Sequence, residues 1–375
     1  MRKTKMLRKL FKIEEKWVVF YDLFSKKRNG DSILPIAEKL RKERPDFKFF
    51  FCKKRGDNIE KIYLADEVIT EKSLYFKYVL AKAKYVVSPM NFPKTKKRDG
   101  QKFIQTWHGT PLKKLYLSRD GKSKHNKRYA ARISQNTDIF CVSCDFAKDA
   151  FKDAFGLEDS QFICSGLPRN DILSPKFDSR AISERIKTEL GLPKGKKIIL
   201  YCPTWRRFDK KAVLPFDLQE LKKAFSKEYS ILIRSHVGKH SWVDANGNNA
   251  NIFDGEFSFD GGQWDEICGL YLVADLLITD YSSAAFDFAI TQKPQIMYAY
   301  DLEEYQREFG LYLDYENEFA AFPVAKNTQE LIDFISGIGN FEKQYGEKYR
   351  AFLEKFCAYE KGDATDKIVN YILSE

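Results

Sequence analysis

Two histidines follow apolar, strand-like runs, at positions where an imidazole can act on a reacting group. His108 comes after the run 103–106 and precedes Gly109, whose backbone freedom allows the chain to turn. His236 follows the run 229–233. A neutral imidazole can take a proton from an attacking hydroxyl near neutral pH. We interpret the two as a pair from opposite sides of one cleft, although a single histidine is more often buried and satisfied by a carbonyl.

A strand that ends in a polar turn and leads into a helix predicts an anion site. The apolar run 276–279 ends at Thr279, and Asp280 follows it. Ser282 and Ser283 then begin a predicted helix. Backbone N–H groups, the positive end of the helix dipole and two hydroxyls converge there, as they do at nucleotide-diphosphate sites of parallel sheets. An ordinary serine N-cap is the alternative.

Two arginines lie near the ends of other predicted strands. Arg206 follows the predicted strand 197–201, and Arg234 comes directly after the run 229–233. A guanidinium group binds phosphate oxygens through paired N–H donors. Surface arginines are usually solvated, but phosphate-compatible groups at three strand ends together indicate a site for a nucleoside diphosphate.

Strand-like runs alternate with helical periods throughout the chain. The predicted strands are 16–21, 47–51, 85–87, 103–106, 197–201, 229–234, 276–279 and 295–298. The predicted helices are 32–44, 73–83, 127–135, 143–155, 180–190, 217–225, 263–274 and one that starts at 283. This order predicts an α/β protein with two doubly wound Rossmann-type domains that face a central cleft. We place the domains at 1–175 and 190–335, with a C-terminal helical segment at 340–375.

The basic charge of the 375-residue chain is concentrated at one end. Residues 1–130 hold 35 basic and 14 acidic side chains, a balance of +21, and the remainder has a balance of −10. This indicates a polyanionic partner: nucleic acid, an anionic membrane or a phosphate-rich substrate. Apolar residues at helical spacing among lysines over 5–20 predict a basic amphipathic helix, suited either to a membrane or to the domain's own surface.

The cysteines indicate a reducing compartment. All seven are scattered through the sequence and their number is odd. Cys141 and Cys144 have the spacing of a metal or redox pair, but 139–142 reads as a buried strand, so we interpret them as structural. With no secretory signal and no apolar stretch of bilayer length, we expect a cytosolic protein.

On these motifs the chain resembles the CDP-glycerol glycerophosphotransferase family, the teichoic-acid primases and polymerases of bacterial envelopes. The matching segments are 107–113, 166–171, 203–206, 234–236, 274–288 and 300–305. The resemblance implies a GT-B fold, a CDP-alcohol donor in the second domain, an acceptor in the first, and catalytic roles for His108 and His236. Two departures, at 237–238 and 320–323, leave the donor contacts and the alcohol pocket open.

The resemblance and the strand-end positions together give two sets of predicted site residues. Donor binding is assigned to Arg206, Arg234, Thr279, Asp280, Ser282 and Ser283. The acceptor side, or other positions in the cleft, is assigned to Gly109, Thr110, Lys113, Arg169 and Asp171. For Arg169 two alternatives stay open: it reaches the cleft, or it pairs with Asp171.

We expect a transferase that moves glycerol phosphate, or a related alditol phosphate, from CDP-glycerol or CDP-ribitol to a hydroxyl of a lipid-linked or polymeric acceptor, releasing CMP. It would work at the inner face of the cell membrane, on an anionic surface. A GT-B glycosyltransferase that uses a nucleotide sugar is the alternative. Nucleic acid is the least favoured partner, because the basic clusters lack interleaved aromatic platforms. We expect no metal requirement, although phosphate chemistry often recruits Mg²⁺.

Overall fold

The computed structural model describes residues 11–23, 31–57, 62–204, 206, 212–234, 242–243, 249–250, 252–319 and 321–375, with the backbone alone at 212–213, 242–243 and 249–250. The described chain forms two compact units, each built from segments that are separated in the sequence. The N-terminal unit lies within residues 1–108, 115–171 and 359–375, and the C-terminal unit lies within 109–114 and 172–358.

The N-terminal unit is a parallel sheet covered by helices. Its strands are β1 (Glu14–Phe20), β2 (Lys48–Lys53), β3 (Glu67–Thr70), β4 (Ala83–Ser88), β5 (Lys102–Gln105), β6 (Ile139–Cys141) and β7 (Phe162–Ile163). Its helices before residue 171 are α1 (Ile33–Glu43), α2 (Leu74–Lys82), α3 (Tyr116–Arg119), α4 (Lys124–Asn136) and α5 (Asp145–Phe155). The seven strands have the order β3-β2-β1-β4-β5-β6-β7, and all of their pairings are parallel.

The central strands of this sheet are apolar at successive positions. Val18, Val19 and Phe20 of β1 are fully buried. Val18 is in register with Phe49 of β2 on one side and with Tyr85 of β4 on the other. A strand without polar alternation needs a cover on both faces, which explains why crossover helices connect these strands.

The C-terminal unit repeats this architecture. Its strands are β8 (Lys197–Cys202), β9 (Ala212–Val213), β10 (Tyr229–Ile233), β11 (Trp242–Val243), β12 (Asn249–Ala250), β13 (Ser258–Asp260), β14 (Leu276–Thr279), β15 (Gln295–Tyr298) and β16 (Val324–Ala325). Its helices are α6 (Arg180–Glu189), α7 (Leu218–Phe225), α8 (Ile267–Val273), α9 (Ala284–Ala289), α10 (Leu302–Phe309), α11 (Thr328–Ser336) and α12 (Phe341–Phe356). Six strands form a parallel sheet of order β13-β10-β8-β14-β15-β16, and β9, β11 and β12 form a small second sheet.

The last helix, α13 (Ala364–Ser374), returns to the N-terminal unit. Ile368, Val369 and Ile372 are buried in the same apolar cluster as residues of β1, β2 and α1. The hydroxyl of Tyr85 in β4 donates to the carbonyl oxygen of Ile372 at 2.8 Å. The predicted C-terminal helical segment is therefore divided, with α12 in one unit and α13 in the other.

The basic amphipathic helix predicted over residues 5–20 is wrong at its C-terminal end. Residues 14–20 form β1, because this stretch pairs with both β2 and β4 in the sheet. Trp17, from the predicted apolar stripe, packs against Phe50 of β2 with ring centroids 4.7 Å apart. Residues 5–10 lie outside the described residues.

The helix predicted over 263–274 is shorter than expected. It starts at Ile267, and a 3₁₀ turn, Gly261–Gln263, precedes it. Among the described residues, no helix combines the length and the apolar character that crossing a membrane requires.

Candidate active site

His108 lies at a sharp turn that follows β5. Trp107 has a φ of +52° and Gly109 a φ of +131°, so the backbone bends on both sides of the histidine. The indole of Trp107 is buried against the rings of Phe140 and Phe155, at centroid distances of 5.9 and 5.1 Å. This packing offsets the cost of a positive φ at a bulky residue. The turn leaves His108 half-buried, as the pattern of a histidine before a glycine predicted.

One hydrogen bond determines which nitrogen of His108 carries the proton. Nδ1 lies 3.0 Å from the carbonyl oxygen of Pro89. A carbonyl can only accept, so in the neutral imidazole Nδ1 holds the hydrogen and Nε2 holds the lone pair. This is the form that a general base needs.

Arg169 holds the backbone of His108. Its Nη2 donates to the carbonyl oxygen of His108 at 2.8 Å, and its Nη1 lies 3.1 and 3.3 Å from the carboxylate oxygens of Asp31. Only 8% of Arg169 is exposed. Its acidic partner is Asp31, and no bond to Asp171 is found among the described residues. The predicted pairing of Arg169 with Asp171 is therefore excluded. The sequence offered no signal for Asp31, which lies 138 positions away along the chain.

Asp171 contacts the start of the last helix, and its predicted role in the cleft stays a prediction. Its carboxylate accepts from the backbone N–H of Ala364 at 3.0 Å and of Thr365 at 2.8 Å, at the start of α13. Burial raises the pKa of Asp171, and the hydrogen bonds from Thr365 and Ala364 oppose this shift. We infer a capping role, which fits the absence of a side-chain cap from Asp363 itself.

Other residues of the 166–171 motif also contact the C-terminal part of the chain, at Tyr359 and Glu360. Gly166 has a φ of +80°, and a Cβ there would lie 2.7 Å from the carbonyl oxygen of Tyr359. The Glu360 carboxylate accepts from the backbone of Leu167 at 3.2 Å and from the amide of Asn170 at 3.0 Å. The motif therefore joins the last part of the chain to the N-terminal unit, and Arg169 is its link to His108.

The residues after His108 belong to the C-terminal unit. Lys113 forms an isolated antiparallel bridge with Leu311, and its ammonium group lies 5.8 Å from the ring centroid of Phe309. The backbone of Tyr312 donates to Leu112 at 2.9 Å. Thr110 is buried. Lys113 is thus placed at the C-terminal end of α10, and the acceptor role of Gly109, Thr110 and Lys113 stays a prediction.

The predicted anion site at the end of β14 has the expected local form. Ser283 precedes α9, as predicted, and the hydroxyl of Ser282 accepts from the N–H of Ala284 at 3.2 Å. Within the described part of the chain, the backbone N–H groups of Ser282 and Ser283 and the Ser283 hydroxyl have no hydrogen-bond partner. Two N–H donors and one hydroxyl are therefore available to an anion.

Asp280 and Arg206 meet inside the C-terminal unit. Asp280 is 1% exposed, and its carboxylate lies 3.0 Å from Nη1 of Arg206. It also accepts from the backbone N–H of Thr204 at 2.8 Å, from the Thr204 hydroxyl, and from the N–H of Tyr281 at 2.6 Å. Asp280 thereby fixes the ends of β8 and β14 relative to each other.

Arg206 is shared between two carboxylates. Its Nε and Nη2 donate to Asp301 at 2.6 and 2.8 Å, and its Nη1 also donates to the carbonyl of Thr204. Burial lowers the pKa of Arg206, but Asp280 and Asp301 outweigh it, so the pKa is raised and the group stays charged. Most of its N–H donors are engaged, so Arg206 holds Asp280, Asp301 and Thr204 together, and direct phosphate binding stays a prediction.

Arg234 and Thr279 make similar internal contacts. Arg234 donates to the backbone carbonyls of Gly261 at 2.9 Å, of Asp265 at 3.1 Å, and of Trp264. It therefore holds the loop before α8. The hydroxyl of Thr279 is buried and donates to the Cys202 carbonyl across the sheet at 2.6 Å.

Two further predictions concern His236 and the cysteine pair. His236 lies outside the described residues, so its catalytic role stays a prediction.

Cys141 and Cys144 are buried, and the Cys144 sulfur accepts from the N–H of Ala147 as the N-cap of α5. Burial raises the pKa of these thiols to about 12 and about 11. Both thiols therefore stay protonated and unreactive, and we interpret both cysteines as structural. No group of three metal-ligating side chains occurs among the described residues.

The two units thus carry different groups: the N-terminal unit holds a histidine with a defined proton position, and the C-terminal unit holds an anion-binding turn on a buried ionic network. Two Rossmann-like units, each with a parallel sheet, are the architecture of the GT-B-like class of proteins. Its family follows from comparison with known proteins.

A family described as CDP-glycerol:poly(glycerophosphate) glycerophosphotransferase matches residues 4–374. The teichoic acid glycerol-phosphate transferase of Staphylococcus aureus is 31% identical over 97% of this chain and 94% of its own length. The teichoic acid poly(glycerol phosphate) polymerase of Bacillus subtilis is 32% identical over 96% of this chain, which spans only 49% of that polymerase. A solved structure of the wall teichoic acid polymerase TagF superposes with a TM-score of 0.86 at 28% identity, covering 99% of this chain and 93% of that one.

The chain belongs to the CDP-glycerol:poly(glycerophosphate) glycerophosphotransferase family. The family, the GT-B-like fold and the class of enzyme predicted from the sequence motifs are therefore confirmed.

Proposed function

We propose that this enzyme transfers glycerol phosphate from CDP-glycerol to a hydroxyl of a phosphate-containing acceptor, such as a teichoic acid linkage lipid or a growing polymer, and releases CMP. Family membership together with the proton position on His108 carries the proposal. Glycerol is proposed as the alcohol because the family is described for CDP-glycerol, and because the chain spans 94% of the length of a relative that is named a teichoic acid glycerol-phosphate transferase.

His108 acts as the general base. Its Nε2 takes the proton of the acceptor hydroxyl while that oxygen attacks the phosphorus that carries glycerol. A new P–O bond to the acceptor forms, and the bond between this phosphorus and the bridging oxygen of CMP breaks, with the two oxygens in line. The hydrogen bond from Nδ1 to Pro89 supports the proton transfer, since it stabilises the imidazolium that forms.

The start of α9 binds the diphosphate of the donor. The N–H groups of Ser282 and Ser283 and the hydroxyl of Ser283, which have no partner among the described residues, are suited to phosphate oxygens. The buried pair of Asp280 and Arg206 fixes the position of this turn, because Asp280 accepts from the N–H of Tyr281. His236 is proposed to stabilise the departing CMP. In this proposal the charge is stabilised without a required metal ion.

We further propose that the enzyme binds to an anionic membrane surface. Exposed basic residues at the start of α4, Lys122, Lys124, Lys127 and Arg128, support this contact.

A panel of donors tests the proposed reaction. The protein is incubated with CDP-glycerol, CDP-ribitol or UDP-glucose and a phosphate-containing acceptor, with and without EDTA. CMP release and acceptor mass are followed. We expect CMP and one glycerol phosphate mass increment per transfer from CDP-glycerol, with EDTA having no effect. Transfer of a sugar from UDP-glucose without CMP release from either CDP-alcohol would contradict the proposal.

A further inference from the structure

A cavity of about 390 Å³ lies in the N-terminal unit, at the carboxyl ends of β1 to β4. Its apolar wall includes Tyr21, which follows β1, Phe76 of α2, and Met90 and Phe92, which follow β4. Phe76 and Phe92 are almost fully buried, so this wall is part of the packed core and is preformed.

The remaining wall is strongly basic. Lys54, Lys72, Lys94 and Arg132 line the cavity together with one carboxylate, Glu71. Glu71 pairs with Lys72 at 3.0 Å, and the four cations and one carboxylate of the lining give it a charge balance of +3. An apolar wall beside several cations fits an anion attached to an apolar body.

Arg132 of α4 has unused hydrogen-bonding capacity. Its Nη2 donates to the side-chain oxygen of Asn91 at 3.3 Å, and its guanidinium carbon lies 4.9 Å from the ring centroid of Tyr129. Its Nε is buried and has no hydrogen-bond partner in the described part of the chain. A buried donor on a cation costs free energy unless a ligand or a water molecule accepts its hydrogen bond.

Tyr21 adds a second donor at this wall. Its hydroxyl makes no hydrogen bond within the described residues. Burial raises the pKa of Tyr21, so the hydroxyl remains protonated and can donate to an anionic oxygen.

The same loop that lines the cavity also holds the predicted base. Pro89 accepts from Nδ1 of His108, and Met90 to Lys94 line the cavity directly after it. Gln105 connects the two: its Nε2 donates to the carbonyl of Met90 at 2.6 Å, and its Oε1 accepts from the backbone of Trp107 at 3.0 Å. A molecule bound in the cavity is therefore held by the loop that positions the imidazole.

We propose that this cavity binds the acceptor substrate through a phosphate group and an adjoining apolar chain. Arg132, Lys94 and the Tyr21 hydroxyl contact the phosphate, and the wall formed by Phe76, Met90 and Phe92 contacts the apolar chain. This inference rests on the proposed function, since it assigns the acceptor of that reaction to a site beside His108.

Direct binding of small probes tests the site without requiring turnover. Octyl phosphate, octyl glucoside and glycerol 3-phosphate are titrated into the full chain by calorimetry, each below its micelle concentration. We expect octyl phosphate to bind at least about tenfold more tightly than either of the others, because it alone supplies both the anion and the apolar chain. Equal affinity for octyl phosphate and octyl glucoside would overturn the proposal.

Two variants assign that binding to the cavity. Arg132→Gln should weaken octyl phosphate binding about tenfold or more, through loss of a charge-assisted hydrogen bond. Arg119→Gln is the matched control: it makes the same change on an exposed side chain of α3 in the same unit, outside the cavity lining, and should leave the affinity within about twofold. Met90→Trp fills the cavity from its rim and should abolish binding. Thermal unfolding verifies that each variant is folded.

Kinetics separate this inference from the proposed function. In folded Arg132→Gln, the KM for a phosphate-bearing acceptor should rise while the KM for CDP-glycerol stays unchanged. If the wild-type protein binds octyl phosphate in the cavity but releases no CMP from any CDP-alcohol, the proposed function fails and the cavity assignment stands. If transfer proceeds normally and Arg132→Gln and Met90→Trp bind octyl phosphate like the wild type, the cavity assignment fails alone.

Discussion

At the scale of single residues, the chemistry depends on how His108 is held. The carbonyl of Pro89 determines which nitrogen carries the proton, and Arg169 holds the histidine's own carbonyl. Asp31 in turn pairs with Arg169 and has a φ of +59°. We infer that Asp31 is a positioning residue: it acts on the base only through the arginine.

The variant Asp31→Asn tests this positioning role. Asparagine tolerates a positive φ, so the backbone is retained, but the charge that holds Arg169 is lost. We expect kcat to fall by about tenfold to a hundredfold, as small displacements of catalytic groups do. The KM for CDP-glycerol should not change, because Asp31 lies in the N-terminal unit.

The matched control for this variant is Asp99→Asn, at an exposed carboxylate of the same unit. It should leave kcat and KM unchanged. If Asp31→Asn lowers the thermal stability of the protein but leaves kcat at the wild-type value, Asp31 has only a structural role.

The residue types of the site were predictable, but their partners were not. The turn at His108 followed from the glycine after it, and the start of α9 followed from the serine pair after an apolar run. Arg206 and Asp280 were both predicted to bind the donor. Folding brings Asp301, which follows β15, to Arg206, and it brings Thr204, which follows β8, to Asp280. These contacts between different strand ends have no local signal in the sequence.

At the scale of elements, the turn between β14 and α9 depends on a buried ion pair. Asp280→Asn removes the negative charge that faces Arg206 and weakens the bonds from Thr204. Breaking a buried pair costs about 3 kcal/mol or more in free energy of unfolding, because the remaining charge stays buried. We expect a loss of that size in urea unfolding, together with weaker CDP-glycerol binding.

An exposed ion pair in the same unit provides the comparison. Asp178 pairs with Arg180 at 2.7 Å, and the two side chains are 65% and 90% exposed. Asp178→Asn should change the free energy of unfolding by no more than about 0.5 kcal/mol. Similar effects of the two substitutions would refute the assigned role of Asp280.

Elements with a strong apolar pattern were predicted well, and strands of two residues were not. The predicted strand 276–279 coincides with β14, and the helix 180–190 matches α6 within a residue. Strands such as β7 and β16 have only two residues and carry no periodic signal. Two predictions overlapped over 14–20: the spacing of Trp17 and its apolar neighbours fitted a helix, and 16–21 was also predicted as a strand. Pairing with β2 and β4 confirms the strand.

At the scale of the whole molecule, the positive charge of residues 1–130 is partly neutralised within the fold. Arg98 donates to the carbonyls of Phe11 and Ala81, and Lys97 forms an ion pair with Asp138. The exposed cations at the start of α4 are therefore the better candidates for a membrane contact. The sequence predicted the charge imbalance, whereas the structure shows which cations have internal partners.

Cosedimentation with liposomes tests this contact. The wild-type protein should bind vesicles that contain anionic lipid at low salt. A variant with Lys122, Lys124, Lys127 and Arg128 all changed to glutamine should bind at least about tenfold more weakly, since each cation near such a surface contributes about 1 kcal/mol.

The control variant removes four exposed lysines of the C-terminal unit, namely Lys194, Lys223, Lys227 and Lys343. It carries the same change in net charge and should bind almost as well as the wild type. Equal losses in the two variants would show that binding follows net charge alone and would contradict an assigned surface.

The central claim is that His108 removes the proton from the acceptor in glycerol phosphate transfer. The most direct measurement compares His108→Ala with His125→Ala, an exposed histidine on α4, for CMP release from CDP-glycerol and for CDP-glycerol affinity by calorimetry. We predict that His108→Ala lowers turnover by about 10²–10⁴-fold with unchanged donor affinity, and that His125→Ala has no effect. Full transfer activity in folded His108→Ala would contradict the account.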